Sequence, residues 1–160
     1  MRLFSDLLYE LAFSAVDEAS AATIAIDHAY ATFRPEHVAI ALLDGAAWSV
    51  LPYRENGRVV EPMEIAAADL DDDATYEPGQ VVLIPDVALF AERFPRLRPL
   101  VELNIVSLVA ASFGLRARRR GYLVFAATTD QHYSDDELRL MALYAMATGI
   151  GFDRTAPRPA

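Results

Sequence analysis

Three histidines, 23 carboxylates and 14 arginines are the side chains of this 160-residue sequence that could move protons or hold charged groups. His28 falls inside an apolar helical pattern, His37 just before a β-type segment and His132 just before a capped helix. Nothing in their spacing groups them, and lone histidines at element ends ordinarily serve as surface or capping residues. Ser107 has neither His nor Lys near it in sequence to activate it, so it reads as a core hydroxyl bonded to backbone rather than as a nucleophile. Asp69, Asp71, Asp72 and Asp73 lack the Gly and closing Glu of a calcium loop and read as a solvated loop. The run from Arg116 to Arg120 reads as a solubilising hairpin tip that, if it has a partner, fits an acidic protein surface. Every basic residue is Arg and there is no Cys. That removes Schiff-base and phosphate-cradling lysines, thiol nucleophiles, disulfides, thiolate metal sites and thioether-linked chromophores.

The charge balance narrows the partners. A net charge of −9 repels nucleic acid, and no run approaches ~20 uncharged apolar residues, so neither nucleic acid nor membrane is an expected partner. A length of 160 residues with 54% hydrophobic and 23% charged residues fits one globular domain. We place it at residues 1–153, with 154–160 as a flexible tail. Asp6 and Glu10 interrupt the N-terminal apolar pattern, unlike a secretory leader, so a cytoplasmic location is expected.

The elements that must position these residues follow from periodicity. Apolar residues from Leu3 to Tyr30 recur at helical spacing without Gly or Pro, which predicts one long helix of ~40 Å, ended by Phe33, Arg34 and Pro35. Val38–Leu43, Trp48–Tyr53 and Val59–Ile65 are β-type segments joined through Asp44-Gly45 and Asn56-Gly57, strong hairpin signals, so they predict an antiparallel meander. The polar stretch Asp69–Glu77 separates this meander from a strand at Gly79–Asp86. A connection over 87–104, broken by Pro95 and Pro99, leads to a hairpin of Ile105–Phe113 with Tyr122–Ala127. Both arms of that hairpin are apolar on both faces, which predicts a sheet covered on both sides. Ser134-Asp135-Asp136-Glu137 is a capping box opening a helix to about Ile150.

That last helix carries two apolar stripes, Leu138, Met141, Ala142 and Ala145 on one side and Leu140, Leu143, Tyr144 and Ala147 on the other. A helix apolar on two sides must bury both. With the surplus length of the first helix, this predicts a homodimer through Leu3, Leu7, Leu11, Leu140, Leu143 and Tyr144.

Four stretches in this order resemble the GAF domain family: the glycine-led strand Gly79–Asp86, the strand Ile105-Val106-Ser107-Leu108-Val109, the strand Gly121-Tyr122-Leu123-Val124-Phe125, and Tyr133-Ser134-Asp135-Asp136-Glu137-Leu138 opening the final helix. The implied fold class is α/β of the α+β type: a GAF/PAS-like antiparallel sheet of five or six strands flanked by helices, with the N- and C-terminal helices packed on one face. The resemblance implies a stand-alone sensory or regulatory module rather than a reaction, acting through a partner signalling protein. It also implies a ligand site on one sheet face beneath the connection Asp86 to Asn104. Small residues there, Ala39, Ala41, Ser107, Ala110, Ala126 and Ala127, would leave room. The ligand-binding candidates are Asp86, Phe90, Phe94, Arg96, Arg98, Asn104 and Ser107, with Asp86 also placed to cap the amides of residues 87–89. The departures restrict the cofactor: without Cys a covalent bilin is impossible, without Lys the cyclic-nucleotide motif is incomplete, and the scattered histidines argue against haem. The ligand, if there is one, is left open. A ligand-free dimerising scaffold fits the same residues, and so would a small enzyme if Arg and carboxylate groups converged in one cleft; no catalytic or metal site is expected.

Overall fold

The computed structural model describes residues 3–44, 47–55, 58–59, 63–66, 78–94, 97–116 and 120–155. The expected long first helix is two helices, α1 at Phe4–Phe13 and α2 at Glu18–Phe33. The break is a reciprocal cap. Asp17 accepts from the Ser20 N–H at 2.7 Å, while the Ser20 hydroxyl accepts from the N–H groups of Val16 and Asp17, satisfying amides that a continuous helix would have bonded internally. The longer piece, α2, spans only about 24 Å, which removes the surplus length on which the dimer expectation leaned. Arg34, in the left-handed region at φ 48°, and Pro35 end α2 as expected.

The sheet comprises β1 (His37–Asp44), β2 (Ala47–Glu55), β3 (Arg58–Val59), β4 (Met63–Ala66), β5 (Val81–Ile84), β6 (Ser107–Gly114) and β7 (Arg120–Ala127), antiparallel in every pairing. Its order is β3-β2-β1-β7-β6-β5, with β4 also pairing β2. Strands β3 and β4 share one register along β2, so they take the single arm expected at Val59–Ile65 and leave six positions across the sheet. Asp44 pairs with Ala47 and Glu55 with Arg58, so each hairpin closes over two residues: Asn56-Gly57 as expected in the second, and Gly45-Ala46, with Asp44 the last paired residue, in the first. Between Val38 and Ile40 the β1–β2 register shifts, opposite a stretch of β2 that contains Pro52, which has no N–H to give the ladder.

One sheet face carries the larger core. Val38, Ile40 and Leu42 of β1, Val109, Ala111 and Phe113 of β6, and Leu123 and Phe125 of β7 are buried beneath α1, α2 and the last helix, α5 (Asp135–Thr155). Four alanines of α2 (Ala21, Ala22, Ala25 and Ala29) let α5 approach closely. At the centre, Tyr144 lies 5.4 Å from the Phe4 ring and 5.1 Å from the Phe33 ring, and its hydroxyl meets Thr32 Oγ1 at 2.8 Å. Tyr144, Leu7 and Leu11 are therefore core residues of their own chain, a correction to their assignment as dimer contacts. The core stripe of α5 runs Met141, Tyr144, Ala145, Thr148 and Phe152, at helical spacing, and the exposed stripe opposite is Leu143, Met146 and Ile150. Leu3 is exposed and Leu140 half-buried.

Helix α5 continues past Ile150 through Gly151, whose missing Cβ makes room for Leu11. Arg154, expected in the tail, lies in the helix, and its guanidinium donates to the carbonyls of Leu11 and Ala15 at the end of α1. The rest of the expected tail, residues 156–160, lies outside the described residues. Among the described residues no helix is long and apolar enough to cross a membrane.

Candidate functional site

Because side chains alternate along a strand, every second residue of β1, β6 and β7 points away from the three-helix face. On β1 these are His37, Ala39 and Ala41, and in register on β7 they are Ala126, Val124 and Tyr122. On β6 they are Leu108, Ala110 and Ser112. A second, smaller cluster covers the β6 side: α3 (Val87–Arg93) and α4 (Arg98–Glu102) bring Val87, Ala91 and Leu97 onto Ile84 and Leu108. Among the described residues this cover stops short of the sheet's middle. Ala39 and Ala41, on a strand paired on both sides, are partly exposed, as are Tyr122, Val124 and Ala126. A sheet covered on both faces buries the residues of its central strands, so this stretch is an apolar bed open on one side, about 13 Å long from His37 to Ala41 at the rise of a strand.

The sequence candidates divide across this geometry. Phe90 and Phe94 are half-buried in the smaller cluster, which reaches Val124 and Ala126 at the margin of the bed. Asp86 is the N-cap of α3, its carboxylate accepting from the Leu89 N–H at 3.1 Å, the capping role expected of it. Arg98 is exposed on α4, and Asn104 is exposed in a turn at φ 63°, a left-handed conformation that Asn tolerates. Ser107 and Ala127 are a correction: both are buried on the three-helix face, in register with each other and two residues from Val109 and Phe125. The Ser107 hydroxyl donates to the Thr129 carbonyl at 2.7 Å and accepts from the Gln131 N–H at 3.2 Å, the backbone-bonded core role the sequence favoured. Arg96, Arg118, Arg119 and the acidic stretch from Asp69 to Glu77 lie outside the described residues.

Two residues stand at one end of the bed, His37, which the sequence left as an ungrouped histidine, and Glu36, which it passed over. His37, its first residue, is buried, and its Nε2 lies 3.4 Å from Oε1 of Glu36. Glu36 in turn accepts from the Thr128 N–H at 2.9 Å and the Thr128 hydroxyl at 2.6 Å. The Thr128 hydroxyl is the main reason the Glu36 carboxyl sits below its ordinary pKa, outweighing the upward push of desolvation. The cue was the alternation itself, since over residues 37–42 His37, Ala39 and Ala41 are the smaller or polar members, interleaved with Val38, Ile40 and Leu42.

The other histidines stay apart. His28 is buried on α2 with Nε2 2.7 Å from Oε2 of Glu10 on α1, and His132 is exposed 3.3 Å from Asp130. Among the described residues no three His, Asp or Glu side chains are grouped to hold a metal ion.

No family model matches the chain, and no curated protein matches it. Solved structures do. The phycocyanobilin-bound GAF domain of a cyanobacterial phytochrome superposes with TM-score 0.73 at 16% identity, over 97% of each chain. The GAF domain of a two-component sensor histidine kinase from Bacillus halodurans superposes with TM-score 0.66 at 13% identity, over 88% of this chain and 96% of that one. Against the chromophore-binding domain of a bacteriophytochrome from R. palustris the TM-score is 0.74 at 11% identity; 94% of this chain is covered, and it spans 60% of that longer one. With the antiparallel sheet, the helices on both of its faces and these superpositions, the chain has the fold of a GAF domain.

Proposed function

We propose that this chain is a sensory module that holds an apolar small molecule, non-covalently, on the bed formed by Ala39, Ala41, Val124 and Ala126, and that works as a homodimer through its terminal helices on a partner signalling protein. The observation that carries the ligand reading is the partial exposure of alanines on a central strand, where a filled second layer would bury larger residues. Phe90 and Phe94, at the margin of the bed, supply aromatic contacts on the side of α3. Several of the structural neighbours are described as bilin-bound; here, with no Cys in the sequence, any such molecule is held by packing and hydrogen bonds alone.

The homodimer keeps Leu143 from the surface the sequence suggested and shifts the rest of it along the same two helices. Leu143, Met146 and Ile150 form a stripe along the outside of α5, and α1 exposes Leu8, Tyr9 and Phe13. A helix with two apolar sides asks for a second partner, and an isologous pairing supplies it with one patch.

Fluorescence titration with the neutral probe N-phenyl-1-naphthylamine tests the bed. Binding is expected to the wild-type chain and to weaken by about tenfold or more in Ala41→Phe, whose ring would occupy the bed. No binding, or equal binding by the variant, would leave the scaffold reading in its place.

A further inference from the structure

Two junctions of the fold meet at one carboxylate. Glu36 lies two residues past the left-handed cap of α2 and one residue before β1. Thr128 lies one residue past β7, in the connection that runs to the Ser134 cap of α5. Both α2-to-β1 and β7-to-α5 junctions therefore sit at the same end of adjacent central strands, where His37 pairs with Ala126. Glu36 staples them, accepting twice from Thr128. Its Oε1, which takes the Thr128 hydroxyl, is also the atom 3.4 Å from Nε2 of His37, the residue that begins the bed.

Downstream, the connection is anchored again. The buried Ser107 hydroxyl holds the Thr129 carbonyl and the Gln131 N–H, both on the three-helix side of the sheet. Tyr133 then packs against Phe125, with ring centroids 6.4 Å apart, and Ser134 exchanges hydrogen bonds with Glu137 to open α5. A shift of the imidazole changes the charge and geometry that Oε1 meets, and the same oxygen fixes where the chain enters the path to α5.

We propose that Glu36 is the positioning residue through which occupancy of the bed is passed to the start of α5, by way of Thr128. This rests on the ligand reading above. It predicts that Glu36 is dispensable for binding and needed for transmission, a separation that a merely structural role would not produce.

The test is hydrogen exchange of the full chain, with and without N-phenyl-1-naphthylamine, read at the amides of residues 128–138. In the wild type the probe should change exchange there by about fivefold or more, the lower range of measured couplings between sites. In Glu36→Gln the probe should still bind within about threefold of wild type, with that change lost. Thr128→Val, which keeps the backbone donor and removes the hydroxyl, should retain binding and reduce the change, and serves if the glutamine variant does not fold. A bound probe with no change at 128–138 in the wild type, or an undiminished change in both variants, would overturn the proposal while leaving the bed intact. Failure of the probe to bind the wild type would remove the ligand reading and this inference with it.

Discussion

Glu36 holds its proton less readily than an ordinary glutamate because the folded chain gives its carboxylate two donors on Thr128. The unfolded chain has no such donors and takes up the proton first as pH falls. The contribution of this residue to stability is therefore present above the ordinary glutamate range near ~4.3 and is lost as pH drops through the lower folded value. Urea midpoints measured from pH 6 down to about pH 3 should fall less steeply for Glu36→Gln than for wild type; parallel curves would mean that the Thr128 bonds do not distinguish the ionised form. The same scale accounts for Ser107. A lone serine on an apolar strand reads as a backbone-bonded hydroxyl, and it is one. Its face was not readable, because placing it on the bed side required the phase of the alternation, and small residues stand on both sides of β6.

At the scale of elements, Gly121 on β7 and Phe113 on β6 are register partners, and a Cβ at Gly121 would fall 2.2 Å from the Phe113 ring. Gly121→Ala should thus cost about 2–3 kcal/mol by overpacking, and much of that should return in the double variant with Phe113→Leu, read as a non-additive denaturation cycle; additive losses would show that the ring is not the obstacle. Helix α1 is secured differently, by Leu7 and Leu11 in the core, the Glu10–His28 contact and the grip of Arg154 on its last carbonyls. Arg154→Met should raise amide exchange across residues 4–13 by about tenfold while leaving α2 unchanged, and an equal rise in both helices would instead mean that the bundle opens as one unit. The hairpins were legible because Asn-Gly in one and the Gly after Asp44 in the other specify a turn by backbone conformation alone. The break between α1 and α2 was not, because the apolar period continues across it. The cue was Asp17 paired with Ser20, a reversed capping box. On α5 the rotation was misjudged: Tyr144 can face the core only if Met141 and Thr148 do too, and the polar Thr148, bonded back to the Tyr144 carbonyl at 2.7 Å, concealed that stripe.

At the scale of the molecule, an exposed stripe on α5 and an apolar outer side on α1 set the expected assembly. Light scattering should report a dimer at tens of micromolar, and Ile150→Glu, which lies on the stripe and outside the core, should dissociate it without unfolding; a wild-type monomer under those conditions would refute the assembly. Strand β1 shows how the same molecule divides its obligations. Val38, Ile40 and Leu42 answer to the core, while Ala39 and Ala41, interleaved with them, answer to the bed. On the proposed ligand reading, substitutions in the first set are paid in stability and those in the second in what can be recognised, on five consecutive residues. Descendants of this chain would then change their specificity by altering every second codon of one short segment, and the two sets of sites should vary independently of each other.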